Sequence, residues 1–108
     1  MFQFNQVKPI KEATMTVGVL VLILRIPGCA SLKEKRGRLK PLISRLQKEF
    51  KLSAAEVDDL DIWGRTVIAC ALVSNEANHT RSVLQKVANW VDREWRDMEL
   101  EDAQIELI

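Results

Sequence analysis

A chain of 108 residues, 47% apolar and 29% charged, has room for one globular domain, and its net charge of +1 gives no overall attraction to a polyanion. Its cysteines, Cys29 and Cys70, lack the spacing of metal ligands or of a disulfide framework, so we expect reduced thiols in a cytoplasmic protein. The longest apolar run, residues 17–24, is too short to cross a bilayer as a helix. We expect a loosely ordered leader over residues 1–14, a domain over residues 15–108 and no membrane partner.

The first half of the domain predicts a strand and a helix. Residues 16–26 are β-branched and apolar and end at Pro27-Gly28, as a buried strand does. Residues 31–34 (Ser-Leu-Lys-Glu) form a capping box, and the apolar residues that follow recur every 3.6 positions as far as Phe50. Pro41 falls inside this helix, so we expect a kink near Arg38 or a loose first segment.

The second half predicts two strands, a helix and a last strand. Residues 52–57 and 65–73 have strand character on either side of a polar turn, Ser74-Asn75 predicts the N-cap of the second helix, and residues 100–108 alternate between apolar and acidic. The order βαββαβ predicts an α+β ferredoxin-like split βαβ fold. Its four-stranded antiparallel sheet has the order 4-1-3-2, with two helices on one face.

Several short motifs resemble those of the YlxP-like family, a group of small bacterial proteins of uncharacterised function. They are Ile26-Pro27-Gly28, residues 31–36 (Ser-Leu-Lys-Glu-Lys-Arg), residues 55–58 (Ala-Glu-Val-Asp), Trp63-Gly64-Arg65 and Val73-Ser74-Asn75. The resemblance covers roughly residues 15–108 and implies a ferredoxin-like fold. It also implies a link to translation, because genes of this family often lie beside those for initiation factor 2 and ribosome-binding factor A.

Charge is distributed unevenly along the chain. Residues 25–51 have a net charge of +7 and the rest of the chain a net charge of −6. Basic residues at the start of the first helix oppose its dipole by about 0.3–1 kcal/mol each. A phosphate bound there would remove the conflict, since backbone N–H groups and basic side chains would meet on one anion. A solvated basic face is the alternative.

We therefore predict that the first helix binds the phosphate backbone of RNA, with ribosomal RNA or the ribosome as partner. The predicted nucleic-acid-binding residues are Lys33, Lys35, Arg36, Arg38 and Lys40. Lys35 lies about 40° from the core direction of the helix, so its ammonium either extends past the end of the sheet or pairs with a nearby acid. The two central strands hold no aromatic residue on which bases could stack. Trp63, beside Arg65, is a candidate stacking residue or, alternatively, a buried anchor of its turn.

Arg25 indicates that the odd-numbered residues of the first strand point to the outer face of the sheet. The other odd-numbered residues from 17 to 23 are apolar, so the outer face is predicted to be apolar. Such a face would meet water in a monomer, so we predict a homodimer through it. The predicted interface residues are Val17, Val19, Val21, Ile23, Val67, Ala69, Ala71 and Val73. The leader folding over the same face is the alternative.

Catalysis has little support in the sequence. His79 has no nucleophile near it in sequence, and Asp58, Asp59 and Asp61 lack the spacing of a calcium loop. The glycine-rich phosphate cradle of acylphosphatases, which share the predicted fold, is absent after the first strand. We expect no enzyme, no metal site and no cofactor. Two functions stay open: a non-catalytic accessory protein associated with RNA or the ribosome, and a homodimeric protein-protein interaction module with no nucleic-acid role.

Overall fold

The computed structural model describes residues 15–108, and the predicted element order is confirmed there. The elements are β1 (Thr16–Arg25), α1 (Leu32–Phe50), β2 (Ser53–Asp58), β3 (Arg65–Ser74), α2 (Ala77–Glu94) and β4 (Glu99–Leu107). The strands form one antiparallel sheet in the order β2-β3-β1-β4, as predicted. The predicted leader lies outside the described residues.

The core lies between one face of the sheet and both helices. Alternate side chains of a strand point to the same face, and Leu20, Leu22 and Leu24 of β1 are completely buried on the helix side. Helix α1 contributes Leu39, Leu42 and Leu46, and α2 contributes Leu84, Val87 and Val91. On β3, Ile68 and Cys70 belong to this core and Leu72 packs against it. Burial raises the pKa of the Cys70 thiol to about 12, so the thiol is neutral in the core.

Helix α1 begins at the predicted capping box. The Ser31 hydroxyl accepts a hydrogen bond from the Glu34 backbone N–H at 3.0 Å, and the Glu34 carboxylate accepts one from the Ala30 N–H at 2.7 Å. The helix is continuous through Pro41, so the loose first segment expected as one alternative is not formed. Pro41 leaves the Gly37 carbonyl without its helical donor, and Gly37 is exposed, so water can satisfy that carbonyl.

Helix α2 has its N-cap at Glu76, immediately after the predicted Ser74-Asn75, and this corrects the sequence prediction. Glu76 is the N-cap, and its carboxylate accepts hydrogen bonds from the N–H groups of Asn78 at 3.0 Å and His79 at 2.6 Å. Ser74 instead accepts a bond from the Glu76 N–H at 3.1 Å. The pattern favoured Ser74 or Asn75 because short polar side chains are the preferred caps, whereas the longer Glu76 reaches the same donors here.

Candidate nucleic-acid interface

The outward side of α1 presents a row of cationic side chains, here called the basic stripe: Lys33, Arg36, Lys40 and Lys48. All four are exposed. At 3.6 residues per turn they lie within about 120° of one another, opposite the buried leucines. No carboxylate in the described part of the chain forms an ion pair with them. The stripe therefore offers several uncompensated positive charges to a polyanion.

Lys35, one of the predicted phosphate contacts, lies in the interior with 1% of its surface exposed. Its Nζ is 2.8 Å from a carboxylate oxygen of Glu56 and donates to the carbonyl of Asp59 at 2.5 Å. The same Glu56 oxygen accepts a hydrogen bond from Thr66 Oγ1 at 2.7 Å. Pairing with an acid, one of the two alternatives for Lys35, is what the structure shows. This corrects its assignment to the nucleic-acid interface, since a buried ammonium cannot reach a phosphate.

Arg38, another predicted phosphate contact, is engaged with neighbouring segments of the fold. Its guanidinium binds the Asp97 carboxylate with Nε 3.0 Å from Oδ2, and it donates to the carbonyls of Asp97 and Pro27, each at 2.8 Å. The hydrogen bond to the Asp97 carboxylate raises the pKa of Arg38. Arg38 thus joins α1 to the turn before β4 and to the loop after β1, and we assign it to the fold.

The N-terminus of α1, where we expected a phosphate to bind, already holds a carboxylate. The hydrogen bond from the Ala30 N–H keeps the pKa of Glu34 below its usual range. The ionised Glu34 therefore places a negative charge beside the first turn of α1, and this charge disfavours a second anion there. This corrects the sequence analysis: contacts to phosphate would come from the exposed side chains of the stripe and not from the backbone N–H groups.

A groove of about 520 Å³ runs between α1 and the edge strand β2. Its lining comprises Arg36, Leu39, Lys40, Ile43, Ser44, Gln47 and Glu56. Two members of the basic stripe, Arg36 and Lys40, form one rim. Sequence reasoning missed this groove, because it depends on how far β2 stands from α1. The sequence does hold one indication of the groove: Arg36, Lys40 and Ser44 are four positions apart and therefore lie in one row along the helix.

The predicted dimer interface is a continuous apolar face of the sheet. The registers pair Val17, Val19, Val21 and Ile23 of β1 with Val73, Ala71, Ala69 and Val67 of β3. Seven of the eight residues are half-buried, and Val73 is 62% exposed. Polar residues of β4 border this face: Glu106 stands beside Val19, Gln104 beside Val21 and Asp102 beside Ile23.

The turn between β2 and β3 carries Trp63, which is 50% exposed. The buried-anchor alternative for Trp63 is therefore incorrect, and its ring is accessible. Gly64 accepts a hydrogen bond from the Ile26 N–H at 2.8 Å, which holds the end of the turn against the end of β1. Arg65 forms ion pairs with Asp59 at 3.4 Å and, more loosely, with Glu101 at 3.9 Å.

Other candidate sites show no cluster of catalytic or ligating groups. Within residues 15–108, no group of three His, Cys, Asp or Glu side chains is placed to hold a metal ion. His79 is exposed in the first turn of α2. In residues 15–108, no helix is both long and apolar enough to cross a membrane.

Fold and surfaces together define a class: a ferredoxin-like α+β domain with a basic stripe on its first helix and an apolar outer sheet face. The chain belongs to the family described as "Protein of unknown function (DUF503)", whose family model matches residues 17–105. It is also 40% identical over 67 residues to "Uncharacterized protein YlxP" of Bacillus subtilis (strain 168), across 62% of this chain and 73% of that protein. The resemblance that the motifs indicated is confirmed.

Proposed function

We propose that this chain is a non-catalytic accessory protein of the cytoplasm that associates with RNA or the ribosome. The basic stripe would bind the phosphate backbone. The observation that supports this proposal is the exposure of Lys33, Arg36, Lys40 and Lys48 without ion-pair partners in the described chain. Each such cation that contacts a phosphate releases a condensed counterion, which favours binding at low salt.

The shape of the stripe suits a structured RNA. A helical rise of 1.5 Å per residue separates Lys33 from Lys48 by about 22 Å along the axis, enough to contact several phosphates. The outer sheet face offers no aromatic residue on β1 or β3, so bases cannot stack there as they do on RNA-recognition motifs. Recognition would follow the shape of the backbone more than the identity of the bases. The link to translation that the family resemblance implies favours ribosomal RNA.

The salt dependence of RNA binding tests this proposal. For the wild type, the logarithm of the association constant for ribosomal RNA should fall linearly with the logarithm of the salt concentration. Replacing Lys33 and Arg36 together by Gln should make that slope shallower by about 1.4–1.8, the contribution of two phosphate contacts. The melting temperature should stay the same or rise slightly, because both charges oppose the dipole of α1.

The matched control is the replacement of Lys86 and Arg93 on α2 by Gln. Both residues are exposed, so the pair changes the net charge by the same amount on the other helix. Their removal should leave the slope nearly unchanged. Equal affinity of the wild type and the Lys33/Arg36 variant at low salt would contradict the proposal.

The second candidate function is a homodimeric protein-protein interaction module. The observation that favours it is the apolar outer sheet face with its polar border on β4, which matches the core and rim of protein interfaces. Within residues 15–108 neither helix covers this face, and monomeric proteins generally avoid leaving such a face in water. As a function without RNA, this module is an alternative to the first candidate, although the sheet face and the basic stripe lie on opposite sides of the domain.

A further inference from the structure

The groove between α1 and β2 has a positive rim and an almost neutral interior. Among residues 15–108, Glu56 is the only acidic residue that lines the groove, and its carboxylate is already paired with the buried Lys35 at 2.8 Å. The charges left for a ligand are those of Arg36 and Lys40, which are exposed one helical turn apart. A ligand that suits this rim carries a negative charge at one side.

The interior of the groove suits a mostly apolar group with polar atoms on one edge. Leu39 and Ile43 supply apolar surface, and Ser44 and Gln47 supply hydroxyl and amide groups farther along the helix. The Gln47 side chain donates to the Ala54 carbonyl at 3.2 Å, which leaves its amide oxygen as an acceptor. The volume of about 520 Å³ lies within the range of small-molecule sites.

We propose that this groove holds one unpaired nucleotide of the RNA strand that the basic stripe binds. The phosphate would lie between Arg36 and Lys40, and the base would lie on Leu39 and Ile43 with its edge toward Ser44 and Gln47. This inference rests on the proposed function, because the same strand must first contact the stripe. It adds a base-binding position to a surface that otherwise binds only the backbone, so the preferred RNA contains a bulge or a single-stranded end.

Two strands with equal numbers of phosphates test the groove: a short oligoadenylate and an abasic strand of the same length. The wild type should bind the oligoadenylate about tenfold more tightly than the abasic strand. Ser44→Leu fills the groove without changing any charge, and Leu is well tolerated in a helix. This variant should bind the two strands equally and keep the wild-type salt slope.

Ser82→Leu is the matched control, since it makes the same replacement at an exposed position of α2. It should keep the tenfold preference. If the wild type binds both strands equally, or if Ser44→Leu keeps the preference, the groove proposal is overturned while backbone binding stands. If the wild type binds neither these strands nor ribosomal RNA, the proposed function fails as well. The groove would instead be a protein-binding site if the wild type shows no preference between the two strands but binds an acidic peptide, and if Ser44→Leu abolishes that peptide binding.

Discussion

Lys35 shows how a lysine can stand at a core position of an amphipathic helix. The helical pattern places it on the same buried side of α1 as Leu39 and Leu42, where its apolar stem suits the core. Its ammonium reaches Glu56 at the end of the sheet and also donates to the carbonyl of Asp59, in the turn after β2. The buried charge is thus both paired and hydrogen-bonded, which is the condition under which such burial is tolerated.

Replacing Lys35 by Met should destabilise the protein, because it removes the ammonium but keeps an apolar stem. The Glu56 carboxylate would lose its counter-ion, and the Asp59 carbonyl would lose its donor. We expect the free energy of unfolding to fall by about 3 kcal/mol, the lower end of the range for breaking a buried ion pair. The lower end applies because 18% of the Glu56 side chain is exposed, so water partly solvates the carboxylate that is left. Chemical denaturation measures this loss. Lys40→Met, on the exposed side of the same helix, should change the stability by less than about 0.5 kcal/mol, and equal losses for the two variants would contradict this account.

Gly18 and Gly37 should respond in opposite ways to replacement by Ala. A Cβ at residue 18 would overlap the Thr80 methyl and lie 2.7 Å from Leu84 Cδ1, so α2 would have to move away from β1. We expect Gly18→Ala to cost about 1–3 kcal/mol by overpacking. A Cβ at residue 37 meets nothing within 4 Å, and Ala in a helix is favoured over Gly by about 1 kcal/mol, so Gly37→Ala should stabilise. Thermal unfolding measures whether each variant has a lower or a higher melting temperature than the wild type. A higher melting temperature for Gly18→Ala would show that α2 has room to shift.

At the scale of the elements, local chemistry was sufficient to predict the type and order of the helices and strands of the domain, but not the N-cap of α2 at Glu76. Ser31 and Glu34 fix the start of α1, and the period of its leucines fixes its buried side. The strongly apolar β1 and β3 are the central strands, and the short β2 and acidic β4 are the edges, as the sequence predicts. These features depend on residues close together in the chain, where spacing and side-chain type are informative.

The parts of the site that the sequence could not predict depend on contacts between distant segments. Arg38 meets Asp97 across 59 positions, and Lys35 donates to the carbonyl of Asp59 across 24 positions. Helical spacing cannot distinguish these two cations from Lys33, Arg36 and Lys40, which stay exposed. The groove beside β2 is hidden from the sequence for the same reason, since its far wall is supplied by Glu56.

At the scale of the whole molecule, the fold separates two surfaces. The basic stripe lies on the helix side of the domain, and the apolar outer face lies on the opposite side of the sheet, bordered by Asp102 and Glu106 of β4. Two copies joined through their outer sheet faces would present two basic stripes pointing away from each other. Such a dimer would have one RNA-binding surface on each side, and an RNA long enough to reach both sides would bind more tightly than to either alone.

Two lysine substitutions in one row of the sheet test whether the outer face forms this dimer. Val21 lies at the centre of the apolar face, and Gln104 lies beside it on β4, at the polar border. The wild type should have twice the mass of one chain in sedimentation equilibrium, through an interface that buries about 800 Å² per partner. Val21→Lys should convert it to a monomer, because each copy would bury an unpaired ammonium in the interface. Gln104→Lys should remain a dimer, because its charge stays in water at the rim. A wild type that sediments as a monomer, or a Val21→Lys variant that dimerises as well as Gln104→Lys, would exclude the outer sheet face as the contact between copies.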